Sequence, residues 1–292
     1  MKQNLNYLFF LFFSHSIVFS QIKGIVKDSI SGEPIPFVNI WVENEENGTT
    51  SDIDGSFTLQ VKDTHKNLIF SALGFYRKTL PIAKSETVYL KAAVIELDEV
   101  VLLNKKETKE IEIGTTSNSI LQTFDNGPKI EAKYFPYESS YKKTPFIKSV
   151  IIQTDNKLEE ATLKIHFYEV NDDGSPGKEL LSKDLIIKIK KGVLKNKYSI
   201  AKYNLVLPKK GVFVAYEKLI IESNKFEKII IDTNTKKEKT QKTYQPLVLY
   251  NYVERDFLYS FYGGKWNKKT NEQVPQDKLT IFEPAINLTL TN

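Results

Sequence analysis

The feature that most constrains this chain is its two-residue rhythm. From residue 22 onward, apolar and polar residues alternate in runs of about five, parted by turn residues roughly every 8–12 positions. In Phe37-Val38-Asn39-Ile40-Trp41-Val42 the residues Val38, Ile40 and Val42 fall on one face, and in Ala161–Val170 so do Leu163, Ile165 and Phe167. Side chains of a strand alternate between two faces, so each run predicts a strand with one buried row and one outward polar row. Almost no stretch carries the helical period, and the chain is expected to be all-β. Residues 21–91 read as a small β-sandwich. Residues 92–128 read as a linker that loses periodicity after residue 102. Residues 129–292 carry some nine or ten strands over about 160 residues, which predicts a larger, jelly-roll-like β-sandwich.

Composition removes several kinds of chemistry. Among 292 residues there is no cysteine, so disulfide scaffolds, thiol catalysis and thiolate metal sites are excluded. The formal charge is +5, but arginine occurs only at Arg77 and Arg255, and the lysines are interleaved with Asp and Glu. Nucleic-acid binders favour arginine for bidentate contacts, and no basic block stands in for it, so no nucleic-acid partner is expected. Lysines on strand edges, where they discourage edge-to-edge pairing, account for the charge.

The first 20 residues, MKQNLNYLFFLFFSHSIVFS, place one lysine before an apolar run and end in Val18-Phe19-Ser20. This is the layout of a secretory signal peptide cleaved before Gln21. The expectation is an exported protein, periplasmic or associated with the outer membrane, with no membrane-spanning segment in the mature chain 21–292. Without cysteine there is no lipoprotein anchor.

Four motifs carry a family resemblance: Gly24-Ile25-Val26-Lys27-Asp28, Gly32-Glu33-Pro34-Ile35-Pro36, Gly48-Thr49-Thr50-Ser51-Asp52-Ile53-Asp54-Gly55-Ser56-Phe57 and Leu73-Gly74-Phe75. Their order and spacing resemble the carboxypeptidase-regulatory-like, or transthyretin-like, domain of Bacteroidota, which precedes the plug of SusC-type TonB-dependent receptors. The resemblance implies a seven-stranded sandwich without catalytic activity. The segment Leu97-Asp98-Glu99-Val100-Val101 is similar to a TonB box, which engages TonB by strand addition; it is either a structural strand or linker or a docking strand. The remaining chain is too short for a plug and a barrel of many strands of roughly 10 residues. Asp52 and Asp54 resemble half of a calcium loop, but calcium takes roughly 6–8 oxygens and no acidic cluster adjoins them, so turn chemistry is the expectation.

The catalytic readings are thin. His166-Phe167-Tyr168-Glu169 matches the H-x-x-E of zinc carboxypeptidases, but a third ligand would have to be His65, and side chains 166 and 169 of a strand point to opposite faces. No nucleophile elbow or phosphate-cradling glycine loop is present. The expectation is therefore no enzyme, no catalytic residue, no metal and no cofactor. Aromatic residues are dense between positions 244 and 266. Phe257, Tyr259 and Phe261 share one strand face and are expected in the core. Tyr252, Tyr262 and Trp266 lie off that face or beside Gly263-Gly264, and are the candidate ligand-binding residues. Two functions follow from the sequence: a non-catalytic cell-envelope binding or scaffolding protein that recognises a glycan or a protein, or alternatively a glycosidase-like hydrolase using a carboxylate pair that leaves no motif.

Overall fold

The computed structural model of the chain describes residues 20–62, 66–93, 105–114, 122–125, 127–232, 236–270 and 279–292. The segment 1–19, His65 and Leu97–Val101 lie outside the described residues. The N-terminal unit contains β1 (Ser20–Asp28), β2 (Asn39–Val42), β3 (Gly48–Thr50), β4 (Ser56–Val61), β5 (Asn67–Ser71), β6 (Lys78–Pro81) and β7 (Thr87–Leu90). The chain continues through β8 (Glu110–Ile113), β9 (Gln122–Thr123), β10 (Ile130–Phe135), β11 (Phe146–Val170), β12 (Pro176–Glu179), β13 (Leu185–Ser199) and β14 (Val212–Lys218). It ends with β15 (Lys225–Ile231), β16 (Glu238–Tyr244), β17 (Leu247–Arg255), β18 (Leu258–Tyr262), β19 (Lys265–Lys269), β20 (Leu279–Pro284) and β21 (Ile286–Thr291). Helical structure among the described residues is limited to 3-10 turns of three to five residues. The protein is all-β, as its alternation dictates.

In the N-terminal unit, the sheet β4-β1-β7 and the sheet β3-β2-β5-β6 enclose one core. β4 shows why: Phe57, Leu59 and Val61 are buried, while Thr58 and Gln60 between them are exposed. The turn before it is set by Gly55, whose φ of 77° lies where a Cβ is disfavoured. The Asp54 carboxylate accepts hydrogen bonds from the backbone and hydroxyl of Ser56, at 2.9 and 2.6 Å. Asp52 accepts one from the backbone N–H of Glu222, at 2.8 Å. Both acids thus serve the turn and the contact with the C-terminal unit.

The C-terminal unit is organised by β11, a 25-residue strand. The sequence shows its two apolar ends as separate runs, because the polar stretch Gln153–Glu160 interrupts the alternation. The strand nevertheless continues through that stretch, with a register shift between Asn156 and Glu160 where it pairs with β13. The buried Asn156 amide donates to the carbonyl of Ile189 at 2.8 Å and holds the irregularity in place. Along its other side β11 pairs in turn with β21, β17 and β14. Its residues Leu163, Ile165 and Phe167 enter the large core together with Val214, Ile286 and Leu288. The interval 92–128 supplies two short strands to this unit: β8 pairs with β21, and β9 with β17.

The opposite face of the same strands meets the N-terminal unit. Lys164, His166 and Tyr168 alternate with the core row, and by register they lie beside Glu217, Ala215 and Phe213 of β14. Lys164 Nζ donates to the carbonyl of Phe37 at 3.1 Å. Trp41 packs edge-on against Phe261, with ring centroids 6.3 Å apart. Arg77 donates to the carbonyl of Gly264, and Ile220 N–H donates to Thr50 Oγ1 at 3.2 Å. A polar row that alternation alone places toward solvent is therefore buried under a second set of strands.

Candidate ligand-binding site

The three aromatic residues marked by the sequence occupy separate surroundings. Tyr252, on β17, is 46% exposed, and its ring lies 4.8 Å from that of Phe282. Tyr262 ends β18, with the Lys129 ammonium 4.9 Å from its ring centroid. Trp266, on β19, is half-buried, its ring 5.2 Å from Tyr168 and 5.3 Å from Phe261. Of their neighbours, Tyr259 is buried, and Phe257 and Phe261 pack half-buried against the small cluster of Ile130, Ala132 and Phe213.

A spacious site lies where the large sheet splits. β10 pairs with β18 only through Ile130, Glu131 and Ala132. Past that point the segment Asp256–Leu258 diverges from Lys133–Phe135, and a cavity of about 650 Å³ opens between them. One wall is aromatic: Tyr134 lies 5.1 Å from Phe213 and 5.8 Å from Phe257, centroid to centroid, in tilted packing. The charged floor comes from the other row of β10 and from β17 and β20. Lys133 Nζ sits 3.0 Å from Glu283 Oε1, and Arg255 clamps the same carboxylate through Nε and Nη2 at 2.6 and 2.5 Å. Burial pushes the Lys133 ammonium below its ordinary pKa, with Glu283 pulling the other way. Burial alone would raise the pKa of Glu283, but Lys133 and Arg255 outweigh it and hold the carboxyl below its usual range. Further along β10, Tyr250 Oη donates to Glu131 at 2.5 Å. Glu112, Glu138 and Asp256 stand among the lining residues. A cavity bordered by an aromatic row and by two cations sharing one carboxylate can hold a ligand that presents both an apolar face and polar groups.

A second charged cluster lies at the junction of the two units. His166 bridges two carboxylates, donating from Nδ1 to Glu179 at 2.8 Å and from Nε2 to Glu217 at 2.9 Å. Burial opposes its charge, but Glu179 and Glu217 outweigh it and push the imidazole pKa up to about 9. Glu217 is held low in turn, burial being overcome by Lys164 and His166. An imidazolium with both N–H groups engaged has no lone pair for zinc and cannot act as a base. Glu169, the other half of H-x-x-E, is exposed. Among the described residues, no group of three or more His, Asp or Glu is placed to hold a metal ion. Trp266 lines a small cavity of about 190 Å³ here, with His166, Glu179 and, from the N-terminal unit, Asn39 and Ser71.

The sequence marks His166 of the second cluster, but neither its partners nor the first cluster. Glu131 and Lys133 form a plain alternating run whose partners, Tyr250 and Glu283, come from strands more than a hundred residues away. For the Lys133–Glu283 cluster the available sign is Arg255, one of only two arginines.

Comparison with known proteins places one part of the chain. A family profile described as CarboxypepD_reg-like domain matches residues 22–102. The TonB-dependent receptor SusC of Bacteroides thetaiotaomicron is 37% identical over 89 residues, which is 30% of this chain and 9% of that protein. The TonB-dependent receptor P3 of Formosa agariphila is 31% identical over 101 residues, 34% of this chain and 10% of that one. Among solved structures, that of infectious bursal disease virus Gx strain aligns over 92% of this chain and 59% of its own, at 9% identity and a TM-score of 0.23, a similarity that supports no conclusion. The chain spans only about a tenth of the length of these receptors. Residues 22–102 are thus a carboxypeptidase-regulatory-like domain, of the kind shared with TonB-dependent receptors.

Proposed function

We propose that this chain is a non-catalytic cell-envelope binding protein, and that the cavity of about 650 Å³ on its C-terminal unit takes a glycan. The observation that carries the proposal is the aromatic wall of Tyr134, Phe213 and Phe257, which borders the same cavity as the Lys133–Glu283–Arg255 group. Sugar rings pack their apolar faces on aromatic side chains and bring hydroxyls to charged and polar groups. A glycosidase needs a carboxylic acid whose pKa is raised. Of the carboxyls in this cavity, Glu112, hydrogen-bonded to Asn287, and Glu283, where Lys133 and Arg255 outweigh burial, are shifted the other way, which speaks against these two as that acid. Kinship of residues 22–102 with TonB-dependent receptors supports the envelope location. Strand docking of a TonB-type partner at Leu97–Val101 is a separate proposal that rests on the sequence.

An oligosaccharide array probed with the full chain tests the reading. Saturable binding without shortened products after prolonged incubation is the expected result. Product release lost on changing one Asp or Glu would replace it with the hydrolase reading.

A further inference from the structure

Two strands of the N-terminal unit each leave one edge unpaired: β3 pairs only with β2, and β4 only with β1. Backbone groups of a strand alternate between its two edges. The Gly55 carbonyl accepts from the Val26 N–H of β1, whereas the Ser56 carbonyl accepts from the Asp52 N–H and the Gln60 carbonyl from the Asn47 amide. The groups of Ser56, Thr58 and Gln60 therefore point away from β1. Among the described residues, Thr58 has no partner on that edge for its N–H or carbonyl, nor Gln60 for its N–H. On β3, Asn47 and Ser51 bond back to Val42 and Val38, so the groups of Gly48 and Thr50 point away from β2. Gly48, Thr50, Thr58 and Gln60 all border one cavity of about 590 Å³, which Ile221 and Tyr244 of the C-terminal unit also line. Other edges of the protein are defended. β6 carries Lys78 and Pro81, β13 and β19 carry lysines along their length, and Lys78 Nζ takes the Tyr89 carbonyl of β7 at 2.8 Å. β3 and β4 contain neither charge nor proline.

We propose that this cavity takes an extended peptide as an added strand, one whose residues alternate between apolar and uncharged polar. Open N–H and carbonyl groups repeated along a strand edge are what a peptide backbone matches. The side-chain pattern follows from β4, where Phe57, Leu59 and Val61 face the core while Thr58 and Gln60 face outward. A strand laid beside it continues both rows. The charges around the cavity are already engaged. Asp52 accepts from the N–H groups of Ile53 and Glu222, Glu222 pairs with Lys225, and the Lys242 ammonium lies 5.3 Å from the Tyr244 ring centroid. The site thus favours an uncharged segment.

The test is fluorescence anisotropy of a short, end-capped, labelled peptide of alternating valine and threonine with the full chain, together with amide hydrogen exchange of the complex. Saturable binding is expected. Exchange at Gly48, Thr50, Thr58 and Gln60 should slow, while that at Phe57 and Leu59, whose groups already face β1, stays as it was. N-methylation of every second peptide residue should weaken binding about tenfold, as the loss of about two net hydrogen bonds would. Thr58→Pro removes a donor that points away from β1 and should weaken binding similarly, with the unfolding midpoint near that of the wild type. A folding defect in that variant leaves the N-methylated peptide and the exchange pattern decisive. No binding, equal binding of the N-methylated peptide, or unchanged exchange at Thr58 and Gln60 would overturn the proposal. So would an oligosaccharide that slows the same amides, or slowing that grows with protein concentration in the absence of peptide.

Discussion

Lys164 Nζ lies 3.1 Å from the carbonyl oxygen of Phe37, so a fully buried ammonium of the C-terminal unit is tied to the backbone of the N-terminal one. The same ammonium stands 3.4 Å from Asp184 and 3.5 Å from Glu217. Burial disfavours its charge, but these two carboxylates outweigh it and raise its pKa. Removing one member of such a group strands the others. Lys164→Met should cost about 3–5 kcal/mol, the range for breaking a buried ion pair. Urea denaturation measures it, and a loss below about 1 kcal/mol, as for an exposed pair, would show that the cluster carries little.

His166 makes stability fall in mild alkali. Its folded pKa is raised from 6.5 to about 9. Its contribution is therefore complete below pH 6.5, declines as the unfolded chain gives up its proton, and is lost as pH passes about 9. Unfolding midpoints measured across this window should slope downward in the wild type and flatten in His166→Gln. A parallel slope in both would assign the effect to other groups.

The docking of the units also has a backbone component. Gly264 has a φ of 81°, and a Cβ there would come within 2.3 Å of Arg77 Nη2 and 2.5 Å of Ile69 Cδ1. Gly264→Ala should destabilise by about 1–3 kcal/mol from backbone strain, before any shift of Arg77 is counted. Because Arg77 donates to the Gly264 carbonyl, Arg77→Ala and Gly264→Ala should be non-additive. Additive losses in a double-mutant cycle would separate the two.

Alternation shows which residues form strands and which side of each strand is apolar. It does not show what covers the polar side. The row Lys164, His166 and Tyr168 looks solvated in sequence, because its partners Glu217 and Phe37 lie 51 and 127 positions from the residues they bind. Trp266 likewise looks like a turn residue beside two glycines, yet Tyr168 supplies a wall for it from a distant strand. Local turn chemistry was more legible: Asp54-Gly55 makes the turn that its residue types require. The cavity beside Tyr134 is not legible beyond the rarity of Arg255, because it arises where β10 and β18 stop pairing, a property of register rather than of residue type.

Trp266 separates packing from binding. Half-buried against Tyr168 and Phe261, it should cost about 2–4 kcal/mol on truncation to alanine, near the lower part of the range for large aromatics. Tyr252→Ala, at a site 46% exposed, should stay within about 1 kcal/mol of the wild type. Thermal or chemical unfolding of the two variants checks the order, and the reverse order would place Tyr252 in the core.

The central claim is that the cavity beside Tyr134 binds the ligand. Titration calorimetry with the strongest array ligand tests it on the wild type, Tyr134→Ala and Tyr252→Ala. Tyr134→Ala should weaken binding by about 1–3 kcal/mol, as truncating an aromatic anchor does, while Tyr252→Ala binds like the wild type. Full affinity in Tyr134→Ala with loss in Tyr252→Ala would move the binding face to β17 and contradict the account.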